Sequence, residues 1–215
     1  MRSVAATLLV FISGFAVMVL EIIGARFLAK DFGGSFYVWV SQIGVVLAAL
    51  AAGYYAGGAL ADRFPRVGVL GWLLVPSGLL TWFIPDYSEK LIEILILRYP
   101  ADQAIPMVWQ KLDPVLGSAA VFGLPCFALA TLPPFMIRVA SPQLHQVGRT
   151  SGAIIAASTV GSIAGVFVSG YVLLEVLSVP SIFRWTGLLT ALLGLSCLLL
   201  NRWFAVERRT EESGS

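Results

Sequence analysis

The stretch "VAATLLVFISGFAVMVLEIIGARF", residues 4–27, decides the fold class of this chain. Its only charged residues are Glu21 and Arg26. An α-helix needs about 20 consecutive, mostly apolar residues to cross a hydrocarbon core about 30 Å thick, and this run is long enough. The run is too long for the core of a signal peptide, and no small-x-small cleavage pattern follows it. The stretch is therefore predicted to be a retained transmembrane helix.

The whole chain has the composition of a polytopic membrane protein. Of its 215 residues, 58% are hydrophobic and 12% are charged, whereas a soluble domain carries about 25% charged residues. The net charge of +2 is scattered. No basic patch of the kind that binds nucleic acid is present, so nucleic acid is not an expected partner. The expected partner is the lipid bilayer.

Residue types that commonly carry catalysis or metal binding are sparse. Cys126 and Cys197 lie in apolar segments without a CxxC pattern, and His145 is the single histidine. The sequence contains no phosphate-binding loop, no nucleophile elbow and no zinc-binding HExxH motif. Its connections are too short to form a separate catalytic domain. We therefore expect no metal, no cofactor and no enzymatic activity of this chain by itself.

Hydropathy predicts an all-α bundle of about six transmembrane helices. These helices form one domain of residues 1–200, and a cytoplasmic tail of residues 201–215 follows it. The predicted spans are residues 4–27, 36–60, 67–84, 115–137, 151–174 and 181–200.

Prolines and a long connection interrupt this pattern. Pro76 should kink the third span, and Pro133 and Pro134 should break the fourth span near its end. In the connection that follows the third span, residues 88–100 predict a short helix with Ser88 as its N-cap. This helix is expected to lie on the outer leaflet as an interfacial helix, or to form a lid over a cavity.

The distribution of Lys and Arg predicts the orientation of the bundle. With the N-terminus in the cytoplasm, eight of the 14 Lys and Arg residues lie on the cytoplasmic side. The short connections after the second and fourth spans are basic, which favours the same orientation. We expect a multi-pass protein of the inner (plasma) membrane with both termini in the cytoplasm.

Two GxxxG patterns mark faces for helix packing. Gly53 and Gly57 form one in the second span, and Gly161 and Gly165 form the other in the fifth span. Such glycines allow backbones to approach closely where lipid provides no hydrophobic drive for association. The second and fifth spans occupy the same place in two halves of three spans. Because that number is odd, the second half would be inverted in the membrane, as in many transporters.

Glu21 is the most informative charge in the sequence. It lies about six residues, or roughly 9 Å of helix, inside the end of the first span. A charged side chain at the centre of a span costs about 2.5–3.5 kcal/mol unless something compensates it. Glu21 is therefore either a site for a cation or a proton, or half of an ion pair or hydrogen bond that fixes helix packing.

The bases available to Glu21 define a candidate polar site. Arg26 does not share the helical face of Glu21, whereas Arg184, at the start of the sixth span, could approach it through the fold. Glu175 ends the fifth span, where a carboxylate opposes the helix dipole and should pair with a base. The candidate polar site is Glu21, Arg26, Glu175 and Arg184, with Lys30 and Asp31 as further members of an outer collar.

Two stretches of the sequence carry a family pattern. The run 20–63 contains a Phe-Gly-x-Ser turn and a glycine-rich exit, and residues 147–174 contain a Gly-Arg-x-x-Gly entry before a Thr-x-Gly-Ser-x-x-Gly helix. Together they resemble the membrane portion of the spermidine synthase-like integral membrane proteins, which are fused major facilitator/spermidine synthase proteins. The matching residues of the first run are Glu21, Arg26, Phe32, Gly33, Ser35, Trp39, Asp62 and Arg63.

This resemblance implies both an architecture and a partner. The family joins a helical membrane module to a cytoplasmic domain that resembles aminopropyltransferases, which use decarboxylated S-adenosylmethionine and a polyamine acceptor. By resemblance, this chain is the membrane module, equivalent to half of a major facilitator, and contains none of the synthase residues. A separate cytoplasmic spermidine synthase-like protein would dock on residues 62–66, on residues 138–149 or on the tail.

The stretch "GALADRFPR", residues 58–66, resembles a second signature. Major facilitators carry Gly-x-Leu-Ala-Asp-Arg-x-Gly-Arg at the turn between the second and third spans, and Pro65 replaces the second glycine here. The resemblance implies a cytoplasmic gate in which Asp62 accepts hydrogen bonds from a helix N-terminus and Arg63 or Arg66 pairs across the bundle. Alternatively, the arginines only set the topology and Asp62 caps the third span.

Three functions remain open from the sequence. The first is a membrane module that works with a cytoplasmic aminopropyltransferase-like partner. The second is transport of a small cationic, polyamine-like solute by a homodimer, with Glu21 and Glu175 along the path. The third is an assembly or scaffold subunit of a larger membrane complex.

Overall fold

The computed structural model describes residues 2–34, 36–96, 106–140 and 147–212, and within these ranges almost every residue is helical and none is in a β-strand. The predicted all-α class is confirmed. A π-helical turn (Ser169–Leu173) lies between α7 and α8. The helices are α1 (Arg2–Phe32), α2 (Phe36–Arg63), α3 (Gly68–Trp82), α4 (Ile84–Ile96), α5 (Met107–Ala130), α6 (Leu132–Ala140), α7 (Val147–Val168), α8 (Leu174–Val176) and α9 (Val179–Glu212).

Five stretches of the described chain are long and apolar enough to cross a membrane, and the bent pair α3–α4 makes a sixth when it counts as one span. The chain is therefore a multi-pass membrane protein, as the sequence predicts. We name the two ends of the bundle the Arg26 end and the Asp62 end, after an exposed charged residue at each. The five stretches are Val4–Phe32, Phe36–Arg63, Met107–Ala140, Val147–Val176 and Val179–Asn201.

Several helices extend beyond the predicted spans. α1 continues to Phe32, α5 begins at Met107, and α9 runs to Glu212, into the predicted tail. Hydropathy marks only the hydrocarbon layer, whereas backbone hydrogen bonds continue a helix into the interface. Gly33 follows α1 with a φ of 81°, a left-handed conformation that glycine adopts without strain.

The third span is interrupted at Phe83, where α4 bends away from α3 by 58°. Pro76 lies inside α3, so the sharp bend is not at the proline that predicted a kink. The predicted short helix exists as α4, but it begins at Ile84. Ser88 is inside α4 and donates its hydroxyl to the carbonyl oxygen of Ile84, so the prediction that Ser88 is the N-cap is wrong. Pro85 explains the earlier start, because an N–H is not needed in the first turn of a helix.

The fourth span breaks at Thr131, close to the predicted position. Pro133 has no N–H to donate to the carbonyl oxygen of Leu129, four residues earlier. Ser13 of α1 replaces that donor, with its Oγ 2.7 Å from the Leu129 oxygen. A buried backbone carbonyl in a membrane must find a partner. The break is therefore stabilised by a contact from another helix.

Three helix pairs provide most of the contacts between spans: α1 with α7, α2 with α5, and α3 with α9. In span order, these are the first with the fifth, the second with the fourth, and the third with the sixth. Exchanging the first three spans with the last three converts the first pair into the second and the third pair into itself. The contact pattern therefore has the symmetry of two three-helix repeats.

Glycines bring the first two pairs into backbone contact. A Cβ atom on Gly53 would lie 2.5 Å from the carbonyl oxygen of Phe127, and one on Gly165 would lie 2.6 Å from that of Phe15. These distances leave no room for a side chain. The other two GxxxG glycines contact backbone as closely: Gly57 meets Thr131, and Gly161 meets Phe11.

The third pair, α3 with α9, has a glycine seam that the sequence analysis missed. A Cβ atom on Gly78 would lie 2.6 Å from the carbonyl oxygen of Gly187, and the reverse distance is also 2.6 Å. A Cβ atom on Gly71 would lie 2.7 Å from the carbonyl oxygen of Gly194. Both helices space these glycines seven residues apart, which is two helical turns. That spacing, rather than GxxxG, was the signal in the sequence.

We expect Gly78→Ala to destabilise the bundle by about 1–3 kcal/mol, because the added methyl group forces α3 away from α9. The matched control is Gly58→Ala in α2, where the methyl group meets no atom within 4 Å. The control should be neutral or slightly stabilising, since alanine favours a helix over glycine. Thermal unfolding in detergent micelles measures both, and equal stability of the two variants would contradict the seam.

Candidate functional site

Glu21 lies on α1 inside the bundle, half-buried between neighbouring helices. Its carboxylate acts electrostatically on Cys126 of α5, which is fully buried. Within the described parts of the chain, no hydrogen bond or ion pair joins Glu21 to another residue. A charge at this depth is costly, and the side chains around it do not neutralise it.

The other members of the candidate polar site are not brought to Glu21. Arg184 pairs with Asp86 of α4, with 3.5 Å between Nη2 and Oδ1, and both side chains are exposed. Glu175 is exposed on α8, and no base among the described residues pairs with it. The bend at Phe83 carries Asp86 to the beginning of α9, and this explains why Arg184 pairs with Asp86 and not with Glu21.

A buried amide next to Glu21 was missed in the sequence analysis. Gln42 of α2 is fully buried, and its Oε1 accepts a hydrogen bond of 2.6 Å from Ser118 Oγ of α5. A Cβ atom on Gly24 would overlap Nε2 of Gln42, which places the amide against α1 one turn beyond Glu21. That Nε2 has no hydrogen-bond partner in the described structure. A lone glutamine within an apolar span was the available signal.

A small cavity with a partly polar lining lies on the other side of Glu21, toward the Asp62 end. Its volume is about 30 Å³, enough for one or two water molecules. Met18 lines it and is three residues from Glu21, so the two side chains lie on adjacent turns of α1. We call it the serine cavity, since its polar lining is Ser13, Tyr54, Ser158 and Ser162.

The polar groups therefore follow one another along α1. The serine cavity, Glu21 and the Gln42 amide occupy successive turns, in that order from the Asp62 end. The hydroxyl oxygens of the serine cavity can accept hydrogen bonds from a cation, and the Glu21 carboxylate adds the charge, whereas the Gln42 amide presents its Nε2 donor to α1. The arrangement has the chemistry of a binding site for a small cation or of a proton path.

An ion pair crosses the bundle at the Asp62 end. Asp62 Oδ1 accepts a hydrogen bond of 3.0 Å from Arg138 Nε of α6, and the side chains are 71% and 61% exposed. Asp62 therefore binds a guanidinium group instead of a helix N-terminus, and the first N–H of α3, at Gly68, donates instead to Asn201 Oδ1 of α9 at 3.2 Å. The base that pairs across the bundle is Arg138, since Arg63 lies over the ring of Phe64.

Arg66, the third member of the predicted gate, lies exposed in the turn between α2 and α3. Its backbone N–H donates to the carbonyl oxygen of Phe64 at 2.7 Å, which tightens the turn. Arg138 takes the pairing role because α6 packs against α2 and brings Arg138 to the end of that helix. Arg138 is visible in the sequence, but no sequence pattern shows which way α6 runs, so its pairing with Asp62 was not predicted.

Comparisons of the chain with family models, with curated proteins and with solved structures found no match. The resemblance to the spermidine synthase-like membrane module thus stays a prediction from the residues quoted above. Among the described residues, no group of three or more His, Cys, Asp and Glu side chains could hold a metal ion.

Ser118→Ala should destabilise the protein by about 1–3 kcal/mol, because it leaves the buried Gln42 Oε1 without its donor. Adding Gln42→Leu should restore most of the lost stability, since both partners are then apolar. Ser196→Ala, which removes an exposed hydroxyl bonded within α9, is the control with little effect. Denaturant titration in micelles gives the free energies of unfolding. Additive effects of the two substitutions would show that the pair is not coupled.

Asp62→Asn and Arg138→Gln should be coupled by about 0.2–1 kcal/mol, the range of exposed ion pairs. The coupling should fall as salt is raised from 50 mM to 500 mM, roughly, because exposed charges are screened. A double-mutant cycle in micelles measures it. Asp62→Asn combined with Arg66→Gln serves as the comparison and should be additive. Coupling that is stronger with Arg66 than with Arg138 would refute the pairing.

Proposed function

We propose that this chain is a membrane module that binds a small organic cation of the polyamine class at Glu21. The observation that carries the proposal is a half-buried carboxylate within a membrane span that has no basic partner in the described structure. An ionised group at that position needs a counter-charge, and intramembrane carboxylates of this kind mark ion and substrate paths. A bound ammonium group supplies the counter-charge.

The surroundings of Glu21 support an amine in particular. An ammonium group donates several hydrogen bonds, and the hydroxyl oxygens of the serine cavity are acceptors on one side of Glu21. The serine cavity is too small for a polyamine, since it holds one or two waters. In this proposal the cation therefore approaches Glu21 from the exposed side of the carboxylate, and the cavity provides the water that completes its solvation.

A second copy of the chain would complete a transport path. Six spans are half of a twelve-span facilitator, and the symmetric pairing of the spans supports that ancestry. The spans formed by α2 and by α7–α8 are the least buried in the bundle, so they offer the largest surface to a partner. In this proposal the functional unit is a homodimer in the inner membrane, with both termini in the cytoplasm.

The exposed charges at the Asp62 end favour a second candidate function. Asp62, Arg63, Arg66 and Arg138 are all exposed there. They would provide a docking surface for a cytoplasmic aminopropyltransferase-like protein, in line with the family resemblance. A module that binds polyamines beside an enzyme that makes them unites the two proposals, whereas a scaffold subunit would need neither the charge of Glu21 nor its depth.

The test is spermidine binding and uptake by the full chain in proteoliposomes, compared with Glu21→Gln. We expect at least a tenfold loss of affinity, because a hydrogen bond to a charged group contributes about 1.5–3 kcal/mol. Glu93→Gln, at an exposed carboxylate of α4, is the matched control and should bind as the wild type does. Glu175→Gln tests whether the path extends to α8.

The outcomes separate the alternatives. Undiminished spermidine binding by Glu21→Gln removes Glu21 as the site. Binding without uptake identifies a module rather than a transporter. Recovery of a soluble aminopropyltransferase-like protein from native membranes by the wild type, but not by a variant with Arg63→Gln and Arg66→Gln, supports the docking proposal.

A further inference from the structure

A second cavity lies at the Arg26 end, away from Glu21 and the serine cavity. Its volume is about 250 Å³, and it is open on one side. Three helices form it: the end of α1, the first turn of α4 and the beginning of α9. We call it the basic cavity, and its lining residues are Arg26, Phe27, Lys30, Pro85, Val179 and Pro180.

The two charged residues that line the basic cavity, Arg26 and Lys30, are both cations. Arg26 and Lys30 are four residues apart and therefore share one face of α1. None of the lining residues is acidic. Asp31 follows Lys30 on α1 and does not line the cavity, whereas Asp86, next to Pro85 on α4, is already bound by Arg184 at 3.5 Å. Arg26 forms no ion pair with an acid in the described structure. The charge of Arg26 is therefore left for an anionic ligand to neutralise, and Lys30 adds a second cationic side chain to the lining.

The shape of the basic cavity points to an anion that carries an apolar group. Phe27, Pro85, Val179 and Pro180 give it hydrophobic walls beside the two cations. Phe27 is also the last residue of the first predicted apolar run, so the cations lie where the hydrocarbon layer meets water. Lipid phosphates occupy that depth, and basic pockets between helices bind lipid head groups. The first turn of α9 adds the positive end of a helix dipole.

We propose that the basic cavity binds a phosphate group, with Arg26 as its main ligand, Lys30 beside it, and a phospholipid head group or free phosphate as its source. Arginine binds phosphate oxygens with two parallel hydrogen bonds, and lysine adds a point charge. Binding ties the end of α1 to the first turns of α4 and α9. This inference does not rest on the proposed function, because it concerns another site and a ligand of opposite charge.

The test uses the full chain in maltoside micelles and phosphate-free buffer, with thermal unfolding as the measurement. The probes are phosphatidylglycerol, diacylglycerol with the same acyl chains, and inorganic phosphate. A ligand that binds only the folded state raises Tm, and the rise increases with the ratio of ligand concentration to Kd. We expect phosphatidylglycerol to raise Tm of the wild type by several degrees and diacylglycerol to have no such effect. A rise with inorganic phosphate alone would identify free phosphate as the source.

The variant with Arg26→Gln and Lys30→Gln should lose the rise in Tm. The matched control with Arg63→Gln and Arg66→Gln removes two cations at the opposite end and should keep it. If the first variant does not fold, native mass spectrometry of the wild type takes its place, and phosphatidylglycerol should stay bound where diacylglycerol does not. The proposal is overturned if neither phosphate-bearing probe raises Tm of the wild type, if both variants respond alike, or if both lipids are retained equally.

Discussion

Backbone contact between helices is the constraint on which the rest of this structure depends. Lipid surrounds the helices with apolar groups, so hydrophobic burial does not draw one helix toward another. Association then depends on close packing. Glycines on α2, α3, α7 and α9 allow it at the three helix pairs α1–α7, α2–α5 and α3–α9, which we call seams. Each seam holds a helix at a fixed register against its partner. The positions of Glu21, Gln42 and Ser13 relative to their neighbours follow from those registers.

Close contacts of α1 with α2 and with α5 also explain how polar groups are tolerated within the bundle. Gly24 gives the space in which the Gln42 side chain lies against α1, and a larger residue there would expel the amide. Ser13 reaches the Leu129 carbonyl because α1 packs closely on the broken fourth span. In lipid, an unpaired carbonyl costs several kcal/mol. Close packing therefore brings the donors that a broken helix requires.

The sequence predicted the features that depend on composition and on single positions. Apolar runs marked the spans, and Pro133 and Pro134 marked the break near Thr131. It did not predict pairings that depend on the direction of a helix after a bend. Arg184 was expected near Glu21, but the 58° bend at Phe83 placed Asp86 in its reach. Arg138 was missed as the partner of Asp62 because no sequence pattern specifies the direction of α6. The glycines of α3 and α9 were overlooked because their seven-residue spacing differs from GxxxG.

The pairing of α1 with α7 has a consequence for biogenesis. The hydrogen bond from Ser162 to the Gly14 carbonyl joins residues 148 positions apart in the chain. At a synthesis rate of about 5–20 residues per second, Ser162 is made roughly 7–30 s after Gly14. During that interval α1 is in the bilayer without its main partner, and its contact face must stay open to α7. The order in which the ribosome delivers the helices is therefore part of how this bundle closes.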